Sequence, residues 1–312
     1  MLRKPIVGAA ALVLTVAFAA FLTLAPVTAR ETAATPAIWK IDGNSGDIYL
    51  FGSIHILPKG LRWRTPALEA ALAKAQRLTF ELDLDEATNP ASMGAIVMKY
   101  GFLPPDRSLY KMLAPEHRLK LDKAAHTVGL TPVALDRMRP WLAAITLTSL
   151  SIIKQSAKDG KSQGQAQLSD ITGVDQQLWD WSKTANKERG ALETAEDQIR
   201  IFADLPEPQQ VELLVVTIDD VVETPKAVDA MLGAWKRGDT KALDRSFNAD
   251  MERFPVLRRA VLDARHEKWV PQIEAMMNDG KTHVIVVGTA HLVGRNSVVA
   301  MLRAKGVKVE GP

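Results

Sequence analysis

Apolar and polar positions alternate in short runs at both ends of the chain and recur at helical spacing through its middle. Ile38-Trp39-Lys40-Ile41 and Asp47-Ile48-Tyr49-Leu50-Phe51 predict two strands, and the turn residues Asp42 to Gly46 join them as a β-hairpin. Thr65 as N-cap and Pro66 at the first helical position open a helix through about Ala75, with Leu68, Ala71, Leu72 and Ala75 on one face. Arg77 to Leu82 then alternates as a third strand, and strand–helix–strand predicts a parallel crossover. From about residue 85 to 280 the pattern is largely helical. One helix starts at Pro115, and others cover Pro140 to Ala157, Val174 to Thr184, Pro208 to Glu223 and Pro225 to Arg237. A long last one runs from about Val256 to Asn278, with Pro271 as a kink. Lys158 to Asp170 is polar and predicts an exposed loop. His283 to Val287 is apolar on both faces, as in a strand buried mid-sheet, and a helix (Ser297 to Ala304) precedes a terminal strand, Val307 to Glu310. The expected fold class is α/β: a central mixed or mostly parallel sheet built from both chain ends, with a large helical middle. The expected organisation is a single domain over 38–312, with the helical insertion at about 85–280.

The N-terminus has its own pattern. Arg3 and Lys4 precede an uncharged, mainly apolar run from Ile6 to Ala25, and Val27-Thr28-Ala29 is a small-residue cleavage site. Residues 1–29 are therefore expected to be an export signal, with an uncleaved membrane anchor as the alternative, followed by a leader at 30–37. The expected location is extracytoplasmic, periplasmic or secreted, with membrane contact only through this segment. Beyond residue 29 the 39 Lys and Arg fall to 37 against 36 Asp and Glu. A balance this even, with no dense basic stripe, excludes an electrostatic footprint for nucleic acid. The chain has no cysteine, which removes disulfides and thiolate ligands, so any metal site must use His, Asp and Glu.

Two segments match each other. IYLFGSIHIL (48–57) and VIVVGTAHLV (284–293) share an apolar strand, a glycine, two small or apolar residues, a histidine and two more apolar residues. Gly52 and Gly288 are expected to let the backbone turn sharply, carrying His55 and His291 just past the carboxyl ends of their strands, where open α/β sheets bind ligands. Two neutral imidazoles suit a divalent ion. Glu81 on the neighbouring strand is the expected third ligand, and Asp83 the second choice, on the same side if the strand continues. A metal with two His and one carboxylate keeps open positions for water and substrate; it would acidify that water and polarise a carbonyl, although non-haem iron oxygenases use the same ligands. Asp83, Glu193 and Asp175 are the candidate general bases. On one helix Glu193 and Gln198 would not closely share a face, and Asp175 is equally a helix N-terminal acid. Against this stands the plainer expectation that His55 and His291 are hydrogen-bonded structural residues and Glu81 a solvated charge. His117 and His126 fall on a surface helix, His266 mid-helix, and His283 at the start of the last core strand. Trp179 and Trp181 are assigned to core and rim packing, and Met93, Met98, Met276 and Met277 to core filling.

GSIH (52–55), FELD (80–83), RPW (139–141), GVDQQL (173–178), LETAEDQ (192–198), RHEKW (265–269) and GTAHLVG (288–294) resemble, in this order, the signature blocks of the TraB/PrgY/GumN family, which includes the Tiki proteins. The resemblance implies an α/β fold with a helical middle. In the Tiki branch it implies a metalloprotease dependent on manganese or cobalt whose site is the two GxxH motifs and a glutamate, which fall here on His55, His291 and Glu81. Other branches are linked to plasmid pheromone shutdown or to polysaccharide clusters. Arg265-His266 departs from the Arg-Asn pair the family would lead one to expect; Arg265 remains a candidate substrate contact with Asp175 and Gln198. The expected function is an exported divalent-metal-dependent hydrolase of peptides, with Mn or Co favoured by the resemblance and Zn or Fe suited to the same donors. The alternatives are a non-catalytic peptide- or saccharide-binding protein and a structural partner in an envelope complex.

Overall fold

A computed structural model describes residues 33–43, 46–55, 57, 60–158, 173–220 and 224–312. The segment expected to direct export, residues 1–29, and nearly all of the polar stretch at 158–170 lie outside the described residues. β1 (Ile38–Ile41) and β2 (Ile48–Ser53) form the expected antiparallel hairpin. α1 (Pro66–Lys74) follows, opened by Thr65, whose hydroxyl accepts from the Leu68 N–H, and it buries Leu68, Ala71 and Leu72. It crosses over to β3 (Arg77–Phe80).

The middle of the chain contributes α2 (Leu84–Ala87), α3 (Pro90–Tyr100), α4 (Leu109–Met112), α5 (Pro115–Val128), α6 (Pro132–Leu135), α7 (Pro140–Lys158) and α8 (Val174–Thr184). A fourth strand, β4 (Glu188–Ala191), then precedes α9 (Ala195–Ala203), α10 (Glu207–Asp220), α11 (Thr224–Lys236), α12 (Thr240–Met251) and α13 (Pro255–Arg258). A π-turn (Arg259–Asp263) leads into α14 (Ala264–Met276), and the chain closes with β5 (His283–Gly288), a 3₁₀ turn (Thr289–His291), α15 (Val298–Ala304) and β6 (Val309–Glu310).

The sheet has the order β4-β3-β5-β2-β1-β6. β4, β3, β5 and β2 run parallel, while β1 is antiparallel to both β2 and β6. β5, from the last part of the chain, therefore occupies the place between β2 and β3, the two strands that α1 connects. Its Val284, Ile285, Val286 and Val287 are at most 1% exposed, so the continuous apolar run of the sequence reflects burial on both faces.

Several expectations are corrected. β3 stops at Phe80 rather than Leu82, and β4 was not anticipated. Its sequence, ERGA, lies on a sheet edge with no buried position, so it lacks the apolar alternation that marks a half-buried strand. The long last helix is divided by the π-turn, and Pro271 lies within α14. Met98 is 69% exposed and fills no core, whereas Met93 is buried. Trp179 packs edge-on against Phe80 in the core, as expected of it. Among the described residues no helix is long and apolar enough to cross a membrane.

Candidate functional site

Three adjacent parallel strands release their carboxyl ends at one place: Glu81 follows β3, His291 follows β5 and His55 follows β2. Ser53 pairs with Gly288, and Gly52 with Val287, so the two GxxH segments are staggered by one residue across the ladder. Beyond it, the Thr289 hydroxyl donates to the Ser53 carbonyl at 2.9 Å and ties the strand ends together. Neither motif glycine has a positive φ; their role is room. A Cβ on Gly52 would lie 2.6 Å from Thr289 Oγ1, and one on Gly288 3.1 Å from Glu81 Oε1.

Beyond β3 and β4 the chains stay paired for two more residues: the Leu192 N–H donates to the Phe80 carbonyl and the Glu193 N–H to the Glu81 carbonyl, each at 2.9 Å. This pairing sets two buried carboxylates side by side. Glu81 Oε1 accepts from the Gly288 N–H at 2.5 Å, and Oε2 accepts from Gln198 Nε2 at 3.2 Å. Glu193 precedes Thr194, the N-cap of α9, whose capping box with Asp197 fixes the turn. Gln198 therefore reaches back to Glu193 Oε2 at 3.4 Å, although five residues separate them.

Arg265, on the first turn of α14 and 2% exposed, enters between these groups. Its Nε lies 3.0 Å from both Glu193 oxygens, its Nη2 lies 2.7 Å from Glu193 Oε2 and 2.5 Å from Glu81 Oε2, and its Nη1 lies 3.0 Å from His291 Nε2. The guanidinium also stacks 4.5 Å from the Trp269 ring centre, while Trp269 Nε1 donates to Glu193 Oε1 at 3.0 Å. On its other side His291 places Nδ1 2.9 Å from His266 Nε2, and His266 Nδ1 lies 2.7 Å from the Asn296 carbonyl.

His55 belongs to a second pair. Its Nδ1 sits 3.0 Å from Asp175 Oδ1, in an ionic contact outside hydrogen-bond geometry, which leaves both atoms buried without a hydrogen-bond partner. The α8 N-terminus is seated on this loop by the Val174 N–H, which donates to the Ile54 carbonyl at 2.9 Å. Only glycine fits at 173, where a Cβ would come within 2.7 Å of His55 Cα.

Burial and charge compete across the cluster. Burial raises the Glu81 pKa, but the charges of Arg265 and His55 together with the hydrogen bonds from the Gly288 N–H and Arg265 outweigh it and hold the carboxyl below its ordinary value. Burial lowers that of His55, but the negative charges of Asp175 and Glu81 prevail and raise it. Burial pushes His266 down to about 4, and burial with the Arg265 charge takes His291 well below the ordinary value.

Of the residues expected at the site, Glu81, Glu193, Gln198, Arg265 and His291 meet directly, with His55 and Asp175 adjoining them. Asp83 is not brought in. The strand ends before it, and its exposed carboxylate caps α2 by accepting from the Asp85 and Glu86 N–H groups at 2.9 and 3.1 Å. Sequence reasoning missed His266, Trp269 and Trp235, whose Nε1 donates to the Gly52 carbonyl at 2.8 Å. The spacing of Arg265, His266 and Trp269 within RHEKW was the available signal for two of them, since positions i and i+4 share a helix face.

The donors suit a divalent ion in kind: Glu81 and Glu193 share one permanent cation, Arg265, and His55 Nδ1 and Asp175 Oδ1 have no hydrogen-bond partner. Their grouping is around Arg265 instead. Among the described residues no three His, Asp or Glu side chains are set as ligands of an ion.

The sequence model of the TraB/PrgY/gumN family matches residues 37–311. The uncharacterized protein YbaP of Escherichia coli (strain K12) is 24% identical over 255 residues, covering 82% of this chain and 87% of its own, and YbaP of Shigella flexneri matches equally. Metalloprotease TIKI1 of Danio rerio is 23% identical over 313 residues, 84% of this chain and 60% of the relative. No solved structure matches. With nearly all of the described chain inside the match, the protein belongs to the TraB/PrgY/gumN family.

Proposed function

We propose that this chain is an exported, divalent-metal-dependent hydrolase acting on peptides. One observation carries the reading: two imidazoles and two carboxylates with buried side chains gathered at the carboxyl ends of four adjacent parallel strands. The name of the relative metalloprotease TIKI1 supports the peptide class, and the apolar run Ile6 to Ala25 behind Arg3 and Lys4 supports export.

His55, His291 and Glu81 would hold the ion, which when bound supplies a Lewis acid and an acidified water. The remaining residues have separable tasks. Gln198 and the Gly288 N–H fix the Glu81 carboxylate. Asp175 faces the His55 ring and favours its orientation toward the cluster. Glu193, the second buried carboxylate, is the group left to accept a proton. Arg265 favours the ionised form of Glu81, pairs with Glu193 beside it, and is a cation able to pair with an anion developing on substrate.

The test is metal analysis of the purified protein beside His55→Ala and His291→Ala. Roughly one Mn or Co per chain, lost in both variants while the fold survives, with peptide cleavage that chelator abolishes, is the expected result. Unchanged occupancy in both variants would remove the assignment. Ligand affinity that persists in chelator without turnover would replace the hydrolase with a binding protein.

A further inference from the structure

His291 is held from both sides, and the chemistry of the outer partners dictates every proton between them. A guanidinium nitrogen only donates, so His291 Nε2, 3.0 Å from Arg265 Nη1, must present its lone pair. A neutral His291 then carries its proton on Nδ1, which faces His266 Nε2 at 2.9 Å. At the far end a carbonyl only accepts, so His266 Nδ1, 2.7 Å from the Asn296 oxygen, must carry the proton and leave Nε2 as an acceptor. The assignment from the Arg265 end and the assignment from the Asn296 end agree on the one bond they share.

We propose that His266 is a positioning residue that locks His291 in its Nδ1–H tautomer, so that the Nε2 lone pair stays turned into the carboxylate cluster. The chain of donors runs from Arg265 through His291 and His266 to the Asn296 carbonyl. Orientation is fixed by the same packing: the two rings stand at 84° with centroids 5.1 Å apart, and Trp269 lies 4.6 Å from the His291 ring centre. His266 is 2% exposed, so water does not compete for the shared bond. The tautomer itself needs no metal; its consequence for metal affinity rests on the function proposed above, because the nitrogen that His266 keeps unprotonated is the one a cation would take.

Nitrogen NMR of metal-free protein labelled at histidine reads the tautomers directly. Both His266 and His291 are expected as Nδ1–H species, and an Nε2–H form at either overturns the proposal whatever the metal does. Two variants separate acceptor from filler. In His266→Gln the carboxamide oxygen takes the place of Nε2, so the His291 tautomer is expected to persist. In His266→Phe the ring is filled but the buried His291 Nδ1–H is left without an acceptor, a cost that opposes the Arg265 donor still facing Nε2, so the tautomer is expected to become mixed, with Mn binding weakened by roughly 10- to 100-fold, as for other groups that orient a metal-bound imidazole. Retention of the Nδ1–H tautomer in the Phe variant overturns the positioning role. If the tautomers are as assigned but none of the proteins binds Mn, the positioning role stands and the metal-dependent reading falls.

Discussion

Removing the central guanidinium is the most demanding test of how the cluster is held together. Arg265→Met keeps an unbranched chain of similar reach but leaves Glu81 and Glu193 without a buried cation. Both carboxylates are nearly inaccessible, with side chains 10% and 6% exposed, so water cannot replace what is lost. Breaking a buried pair from one side typically costs about 3–5 kcal/mol, a large part of the ~5–15 kcal/mol available to a folded domain. The cost should depend on pH with a defined sign. In the native protein Glu81 is held below its ordinary pKa, so its contribution is present above the unfolded value and fades as pH falls through the folded one. In the variant the same carboxyl is buried without its partner and its pKa is expected to rise, so acid relieves the penalty. Urea unfolding in chelator, at pH 7.5 and again near pH 5, measures both effects. The gap between the two proteins should be about 3–5 kcal/mol at the higher pH and clearly smaller at the lower. A gap under about 1 kcal/mol at pH 7.5, or one that does not change with pH, would show that Arg265 does not neutralise these carboxylates.

Three further outcomes are expected. Gly173→Ala places a Cβ 2.7 Å from His55 Cα, about 0.8 Å short of the ~3.5 Å that carbon atoms prefer. Urea melts should show about 1–3 kcal/mol of overpacking cost, and Mn affinity should drop with it because the His55 loop must move. Thr289→Val keeps the shape but removes the 2.9 Å bond to the Ser53 carbonyl; a loss of about 1–2 kcal/mol is expected from the same melts, and no loss would mean that the ladder alone holds the strand ends. Finally, Mn at 100 times its dissociation constant should stabilise the protein by about 2.7 kcal/mol in thermal unfolding, and His291→Ala should abolish that gain.

The parts of this fold that were legible in the sequence are those where burial is one-sided or complete. The hairpin, α1 with its Thr65 cap, and the doubly buried β5 each write a periodic or continuous apolar signal. β4 does not, because an edge strand of Glu, Arg, Gly and Ala buries nothing. Within the site, the two histidines were visible because a repeated motif placed them at strand ends, and Glu81 because it is a carboxylate near the end of the next predicted strand. Asp83 was misplaced because the sequence does not say whether a strand runs on for two residues or yields to a helix cap. His266 was passed over because a histidine inside a helix carries no mark of what its ring faces; only the fold, which brings His291 to its Nε2 and the Asn296 carbonyl to its Nδ1, makes it part of the site.

The strand order explains why so much of the cluster comes from outside the strands. β5 enters between β2 and β3 only after the helical middle has been traversed, so the three strand ends meet through a long loop closure. That closure costs little extra as the insertion lengthens, about 0.6 kcal/mol per doubling. The insertion can therefore be large, provided it returns at the right points. It does so at 173–175 against His55, at 193–198 against Glu81, and at 265–269 against His291. Each return meets a different strand end, and each brings the group that strand end lacks: a carboxylate for an imidazole, an amide and second carboxylate for a glutamate, a guanidinium and an imidazole for the last histidine. The chemistry of the site is thus divided between a sheet that fixes positions and three short stretches of the helical middle that set charge and proton placement, while Trp235 of α11 and Asn248 of α12 brace the two GxxH segments through the Gly52 and Val293 carbonyls.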